Sequence, residues 1–198
     1  MTQRKKKIVI VVGGPGGSGT STISKMLSER FDVPRIYAGD LYREEAKESD
    51  IESFEEFLQE MSKGGNSLDL EIDSMLEEYV LKGDIVIDSK VFGAICKKKG
   101  IECNVSIWLD AKLSVRAKRH LNRENVKGIK RLVRYIQILL NLKQRYKIDR
   151  EKYHRLYKIK YEKPSLYYDI VLDTSNLNEG ETFNLILGKI KDGRYITE

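Results

Sequence analysis

The sequence predicts an α/β layered domain, a five-stranded parallel sheet with helices on both faces. Three observations carry that expectation. Lys7 to Val12 is a β-branched run, almost wholly apolar and closed by glycines, as a strand buried on both sides requires. Four similar short runs recur downstream, and between them apolar residues fall at helical spacing. Strands that alternate with helices pair in parallel through right-handed crossovers.

In chain order, the first strand gives way to a helix from about Thr20, with Ile23, Met26, Leu27 and Phe31 on one stripe. Arg35-Ile36-Tyr37 is the second strand, and the helix after it has Asp40 as its expected N-cap. The interval from Gly39 to Gly83 is too long for a simple crossover and holds about three helical segments, so residues 39–83 form an inserted helical lobe. One segment starts near Ser53, where Glu56 completes a capping box, and another aligns Leu68, Ile72, Met75, Leu76 and Tyr79.

The third, fourth and fifth strands are expected at Asp84–Asp88, Val105–Leu109 and Asp169–Leu172. A second long interval, residues 122–165, begins as an amphipathic helix through Leu132, Tyr135, Ile136, Leu139, Leu140 and Leu142. It continues as a charged stretch rich in Tyr and Arg, and the expectation is a mobile insertion. Both insertions are lobes of a single domain spanning residues 1–198.

Composition narrows the function classes. With 198 residues, 40% hydrophobic and 33% charged, the chain suffices for one globular core. The longest apolar run falls far short of the roughly 20 residues a membrane-spanning helix needs, so the expectation is a cytoplasmic protein without a membrane partner. A monomer is expected, although nothing in the sequence fixes the oligomeric state. Cys96 and Cys103 lack the spacing of a metal site or a disulfide framework. A net charge of +6 favours anionic partners, and residues 112–163 concentrate the positive charge. A solvated helix face is the alternative reading of that run.

Gly14-Pro15-Gly16-Gly17-Ser18-Gly19 joins the first strand to a helix, the context in which a glycine loop cradles phosphate. Loop amides and the helix N-terminus supply the positive field, and Ser21 stands where a hydroxyl ligates Mg²⁺. Thr20 occupies the position where the phosphate-loop pattern places lysine. Another cation must then stabilise the transferring phosphoryl group, and the arginines of residues 122–165 are the evident source. A ligand-free turn is the structural alternative.

The blocks "GGPGGSGTST", "IYAGDLYREEAKE", "VIDSKVFG", "SIWLDAKLSVRAKR", "RYKIDREKY" and "LYYDIVLDTS" resemble, in order and over nearly the whole chain, the nucleoside monophosphate kinases, specifically the archaeal-type cytidylate kinases. In that family threonine in the lysine slot is ordinary. The resemblance implies a single P-loop kinase domain in which residues 39–83 bind the acceptor and residues 122–165 form an Arg-rich lid.

It implies that Gly14 to Gly19, Thr20, Ser21, Arg116 and Arg119 bind ATP. Ala38, Gly39, Arg43, Lys90 and Asp149 bind the nucleoside monophosphate, CMP or dCMP. Arg145, Arg150 and Asp88 carry catalysis, and Ser21 with Asp88 serves Mg²⁺. Residue chemistry leaves alternatives open at two of these positions: Arg43 in a surface ion pair with Asp40 or Glu44, and Asp88 as a strand cap for loop amides. Ser89-Lys90 replaces the family's usual Gly-Arg, so the bidentate guanidinium is lost there.

No general base is evident, and none is needed for an acceptor that is already a phosphate anion. His120 and His154 are expected at the surface. A nucleic-acid-binding or regulatory protein without turnover, using Arg145 to Tyr161 for backbone contact and base stacking, is the competing class. A kinase for another small acceptor is the third.

Overall fold

The computed structural model describes residues 7–48, 67–124 and 126–196. Every residue of the first strand, β1 (Val9–Gly13), is buried, as its uninterrupted apolar run requires. The chain continues through α1 (Thr20–Phe31), β2 (Arg35–Tyr37), α2 (Ala38–Glu48) and α3 (Ser67–Lys82). Then come β3 (Ile85–Asp88), α4 (Phe92–Lys99), β4 (Val105–Asp110), α5 (Leu113–Asn122) and α6 (Ile129–Tyr157). A 3₁₀ turn at Pro164–Leu166, β5 (Ile170–Asp173) and α7 (Glu179–Asp192) close the order. The helix expected near Ser53 lies outside the described residues.

The five strands pair in parallel in the order β2-β3-β1-β4-β5. After β1 the chain crosses to one side for β2 and β3, then back across for β4 and β5. That reversal places the carboxyl end of β1 at a topological switch point, where open α/β sheets bind ligands.

Alternation along the strands divides the core into two layers. Val9, Val11, Ile85, Ile87 and Trp108 face one side, covered by Leu76, Phe92, Ile95, Tyr153, Tyr161 and Tyr168. Ile10, Val12, Val86, Val105, Ile107 and Leu109 face the other, covered by Ile23, Leu27, Ile186 and Ile190. Each fully buried aliphatic or aromatic side chain contributes roughly 1.5–3 kcal/mol of transfer free energy. The α/β expectation, with helices on both faces, agrees with this arrangement.

The basic segment is one continuous helix of 29 residues, about 43 Å long at 1.5 Å per residue. Its first half packs on α5 through Ala117, Leu121, Ile138 and Leu142, with Tyr135 and Leu139 alongside. Leu132, Ile136 and Leu140, assigned to the same stripe from sequence spacing, are instead 64%, 50% and 56% exposed. The buried arc is rotated toward Ile138 and Leu142 because that is the side α5 occupies.

The second half of α6 enters the core. Tyr153 is buried against Tyr161, which meets Trp108 edge to face with 5.1 Å between ring centroids. Polar contacts fasten the same half to the helical insertion. Asp69 of α3, itself buried, accepts hydrogen bonds from Tyr42 of α2 at 2.5 Å and Lys152 of α6 at 2.7 Å. Tyr157 donates to buried Asp73 one turn further along α3. Desolvation raises the Asp73 carboxyl to about 6.

Candidate active site

The phosphate loop runs from Gly14 to Gly19 between β1 and α1, and its shape rests on backbone that only glycine adopts easily. Gly14 has φ 152°, and a Cβ there would sit 2.2 Å from the Leu109 carbonyl oxygen. Gly19, with φ 103°, forms the N-cap of α1 without any side-chain cap. Ser18 N–H turns back to the Pro15 carbonyl at 3.1 Å.

Two arginines of α5 hold this loop by its carbonyls. Arg116 donates to the Gly16 carbonyl at 3.3 Å and to Ala111 O at 3.0 Å. Arg119 donates to Gly17 O at 3.4 Å, Ser18 O at 3.1 Å, Thr174 Oγ1 at 3.0 Å, Thr174 O at 2.7 Å and Leu177 O at 3.3 Å. Thr174 also donates to Ser18 O at 3.1 Å. A trans peptide sets each carbonyl opposite the next amide, so these contacts turn the N–H groups of Gly17 and Gly19 to the concave side. Ser18 Oγ is buried without a hydrogen-bond partner among the described residues. Outward carbonyls, inward amides and an unsatisfied hydroxyl at a helix N-terminus make an anion cradle.

Arg116 and Arg119 therefore hold the loop by its carbonyls. Thr20 opens α1, and its γ-methyl faces Gly14. Ser21, in the first turn, is exposed. His120, expected at the surface, is half-buried against Gly17, and its Nε2 lacks a hydrogen-bond partner among the described residues. Burial, followed by the positive charge of Arg123 and Arg145, lowers its pKa and keeps the imidazole neutral. His154 is exposed, as expected.

At the end of β3, Asp88 is 2% exposed and lies in register with Val12 of β1 and Tyr37 of β2. Its Oδ2 accepts from Arg35 Nη2 at 2.8 Å and from Ser24 Oγ at 3.2 Å, while Arg35 Nε donates to Ser24 Oγ at 2.7 Å. Arg35 and Ser24 were not singled out from sequence. A lone arginine in a strand otherwise made of Ile and Tyr was the available signal.

Lys90, two residues beyond Asp88, meets buried Asp149 of α6 with Nζ and Oδ2 2.5 Å apart. Desolvation lowers its ammonium to about 8, opposed by Asp149 and reinforced by Arg145. Arg145 lies one helical turn before Asp149. Together with Tyr146 and Leu142 they line a narrow crevice whose other wall is Pro15, Gly16 and Arg116. Arg150 follows Asp149 directly, is exposed, and does not line this crevice.

On the acceptor side, buried Ala38 and half-buried Gly39 start α2. Asp40, expected as N-cap, lies inside the first turn, because the helix begins two residues earlier. It pairs with exposed Arg43 at 2.7 Å, the surface ion pair that was the alternative for that arginine. Thus Lys90, Asp149 and Arg145 gather beside the phosphate loop, whereas Arg43 stands on α2.

Comparison with known proteins agrees with this geometry. The family described as "AAA domain" matches residues 12–134. A cytidylate kinase of Methanocaldococcus jannaschii is 32% identical over 185 residues, covering 92% of this chain and 97% of its own. A cytidylate kinase of Methanopyrus kandleri is 34% identical over 189 residues, covering 92% and 93% respectively. Among solved structures, a shikimate kinase from Bacteroides thetaiotaomicron superposes with a TM-score of 0.59 at 14% identity, covering 96% of this chain and 99% of its own, a likeness of fold alone. With the loop, the five-stranded sheet and these relatives in agreement, the chain belongs to the cytidylate kinase family, phosphotransferases on the P-loop kinase fold.

Proposed function

We propose that this protein transfers the γ-phosphoryl group of ATP to CMP or dCMP, yielding the diphosphate and ADP. The observation that carries the reading is the crevice in which Pro15 and Gly16 of the phosphate loop face Arg145 and Asp149 of α6. A donor phosphate in the cradle and an acceptor phosphate beside Lys90 then meet next to a guanidinium. The acceptor is already an anion, so catalysis reduces to alignment and charge stabilisation.

Loop amides hold the donor phosphates, and Arg145 supplies the positive charge that Thr20 lacks, with Arg150 as the second lid arginine. Arg43 and Lys90 receive the acceptor phosphate. Asp149 competes for Lys90 in the free protein and yields it when the more highly charged phosphate arrives. Residues 39–83 and the lid, residues 122–165, shield the transfer from water.

The oxygen donors fit Mg²⁺, which enters with ATP and neutralises phosphate charge. Ser21 would hold it directly and Asp88 through water. Asp88 suits a water-mediated role because Arg35 and Ser24 already occupy its Oδ2.

A nucleic-acid-binding role fares worse. The aromatics available for base stacking between Arg145 and Tyr161 are drawn inward: Tyr153 and Tyr161 are buried, and Tyr146 and Tyr157 are half-buried. A coupled ADP-release assay over CMP, dCMP, UMP and AMP tests the proposal. Turnover highest with CMP or dCMP supports it. No ADP from any acceptor, together with salt-sensitive RNA binding, would replace it with the nucleic-acid reading.

A further inference from the structure

Tyr37 ends β2 and touches two arginines, one of them the acceptor arginine. The guanidinium carbons of Arg35 and Arg43 each stand 5.3 Å from the centroid of its ring. Arg35 continues from that ring to Ser24 of α1 and Asp88 of β3, at 2.7 and 2.8 Å. Arg43 continues from it to Asp40 and the exposed face of α2. One aromatic side chain therefore joins the acceptor arginine to the carboxylate at the end of β3.

The backbone is shaped to admit this ring. A Cβ on Gly39 would lie 2.5 Å from Tyr37 Cζ, 2.7 Å from its hydroxyl oxygen and 2.9 Å from Cε1. Any other residue at 39 displaces the ring, because real Cβ contacts do not approach so closely. Glycine here serves the tyrosine, since its φ lies outside the left-handed range.

We propose that Tyr37 is a positioning residue for the acceptor phosphate: its ring holds Arg43 by cation–π contact, at the distance from the β3 carboxylate that Arg35 fixes. This rests on the acceptor role of Arg43 proposed above. An unsupported arginine on an exposed helix samples many rotamers, and ordering it is part of the cost of binding. Tyr37 meets that cost before the ligand arrives, through its π face and through a hydrogen bond that its hydroxyl accepts from the guanidinium. Asp40 and the Tyr37 hydroxyl each release a donor to the phosphate, while the π contact persists.

Kinetics on four variants test this. Tyr37→Leu, which removes the π face and the hydroxyl, raises KM for CMP about 3- to 5-fold, the size expected for one solvent-exposed cation–π contact. KM for ATP stays within about twofold and kcat within about threefold of the parent, a split that general loosening of the fold would not give. Tyr37→Phe restores KM to within about twofold. Gly39→Ala reproduces the Leu phenotype by pushing the ring aside, and Tyr37→Leu/Gly39→Ala is no worse than either single variant, since no ring remains to displace.

An unchanged KM for CMP in Tyr37→Leu, an equal rise for ATP, a Phe variant as weak as Leu, or multiplying effects in the double variant would each overturn the proposal. Should the parent phosphorylate none of the four monophosphates, the kinase reading fails by itself. The Tyr37 contact is then read by side-chain ¹⁵N NMR of Arg43. Slower guanidinium rotation in the parent and Tyr37→Phe than in Tyr37→Leu supports it, and equal rates reject it.

Discussion

Lys90 Nζ lies 2.5 Å from Asp149 Oδ2, joining the end of β3 to the middle of α6 beside the phosphate loop. The pair spans 59 residues of sequence. Arg145, one turn earlier on α6, lines the same crevice as Asp149 and Gly16.

This pair predicts a pH-dependent activity. Desolvation places the Lys90 ammonium at about 8, so its charge is complete below that pH and lost above it. kcat/KM for CMP, which reports the free enzyme, falls as pH rises through about 8. Lys90→Arg retains its charge and moves that fall to higher pH, and pH profiles of both proteins measure the shift.

Asp73 predicts a change in stability of the opposite kind. Its carboxyl is raised from 3.8 to about 6 by burial, so the folded state binds more protons than the unfolded chain between those values. The charged form therefore destabilises the fold fully above about pH 6, and that cost disappears as pH falls to about 4. Asp73→Asn keeps an acceptor for Tyr157 and gains on the order of 2–3 kcal/mol at pH 7.5, with no gain below pH 4. Urea unfolding at both pH values checks it.

Arg119 binds the loop by its carbonyls. Arg119→Ala leaves the Gly17, Ser18, Thr174 and Leu177 carbonyls without this donor. The expected result is a loss of about 2 kcal/mol in stability and a rise in KM for ATP larger than that for CMP. Thermal unfolding and initial-rate kinetics separate the two effects.

How much of this was legible in the sequence depended on whether the signal was local. The run Ile8 to Val12 and the glycines after it encode a buried strand and an anion loop within a dozen residues, and both are present. Asp88 could be placed at a strand end, but its partners could not. Arg35 and Ser24 reach it only because β2 lies beside β3 and α1 packs across them, a relationship between distant segments. Along α6, spacing identified a helix, but two apolar arcs compete, and only the position of α5 selects Ile138 and Leu142 over Leu132, Ile136 and Leu140. His120 reads as a surface residue among basic neighbours, yet it packs on a glycine more than 100 residues earlier.

The central claim is that a guanidinium from α6 supplies the charge that Thr20 withholds from the phosphate loop. Single-turnover transfer from ATP to CMP by Arg145→Ala measures it most directly. A loss of about 10²–10³-fold in rate, with an unchanged melting temperature and no compensating gain from Thr20→Lys in the parent, is the predicted result. A near-parental rate for Arg145→Ala, or a large gain from Thr20→Lys alone, would contradict it.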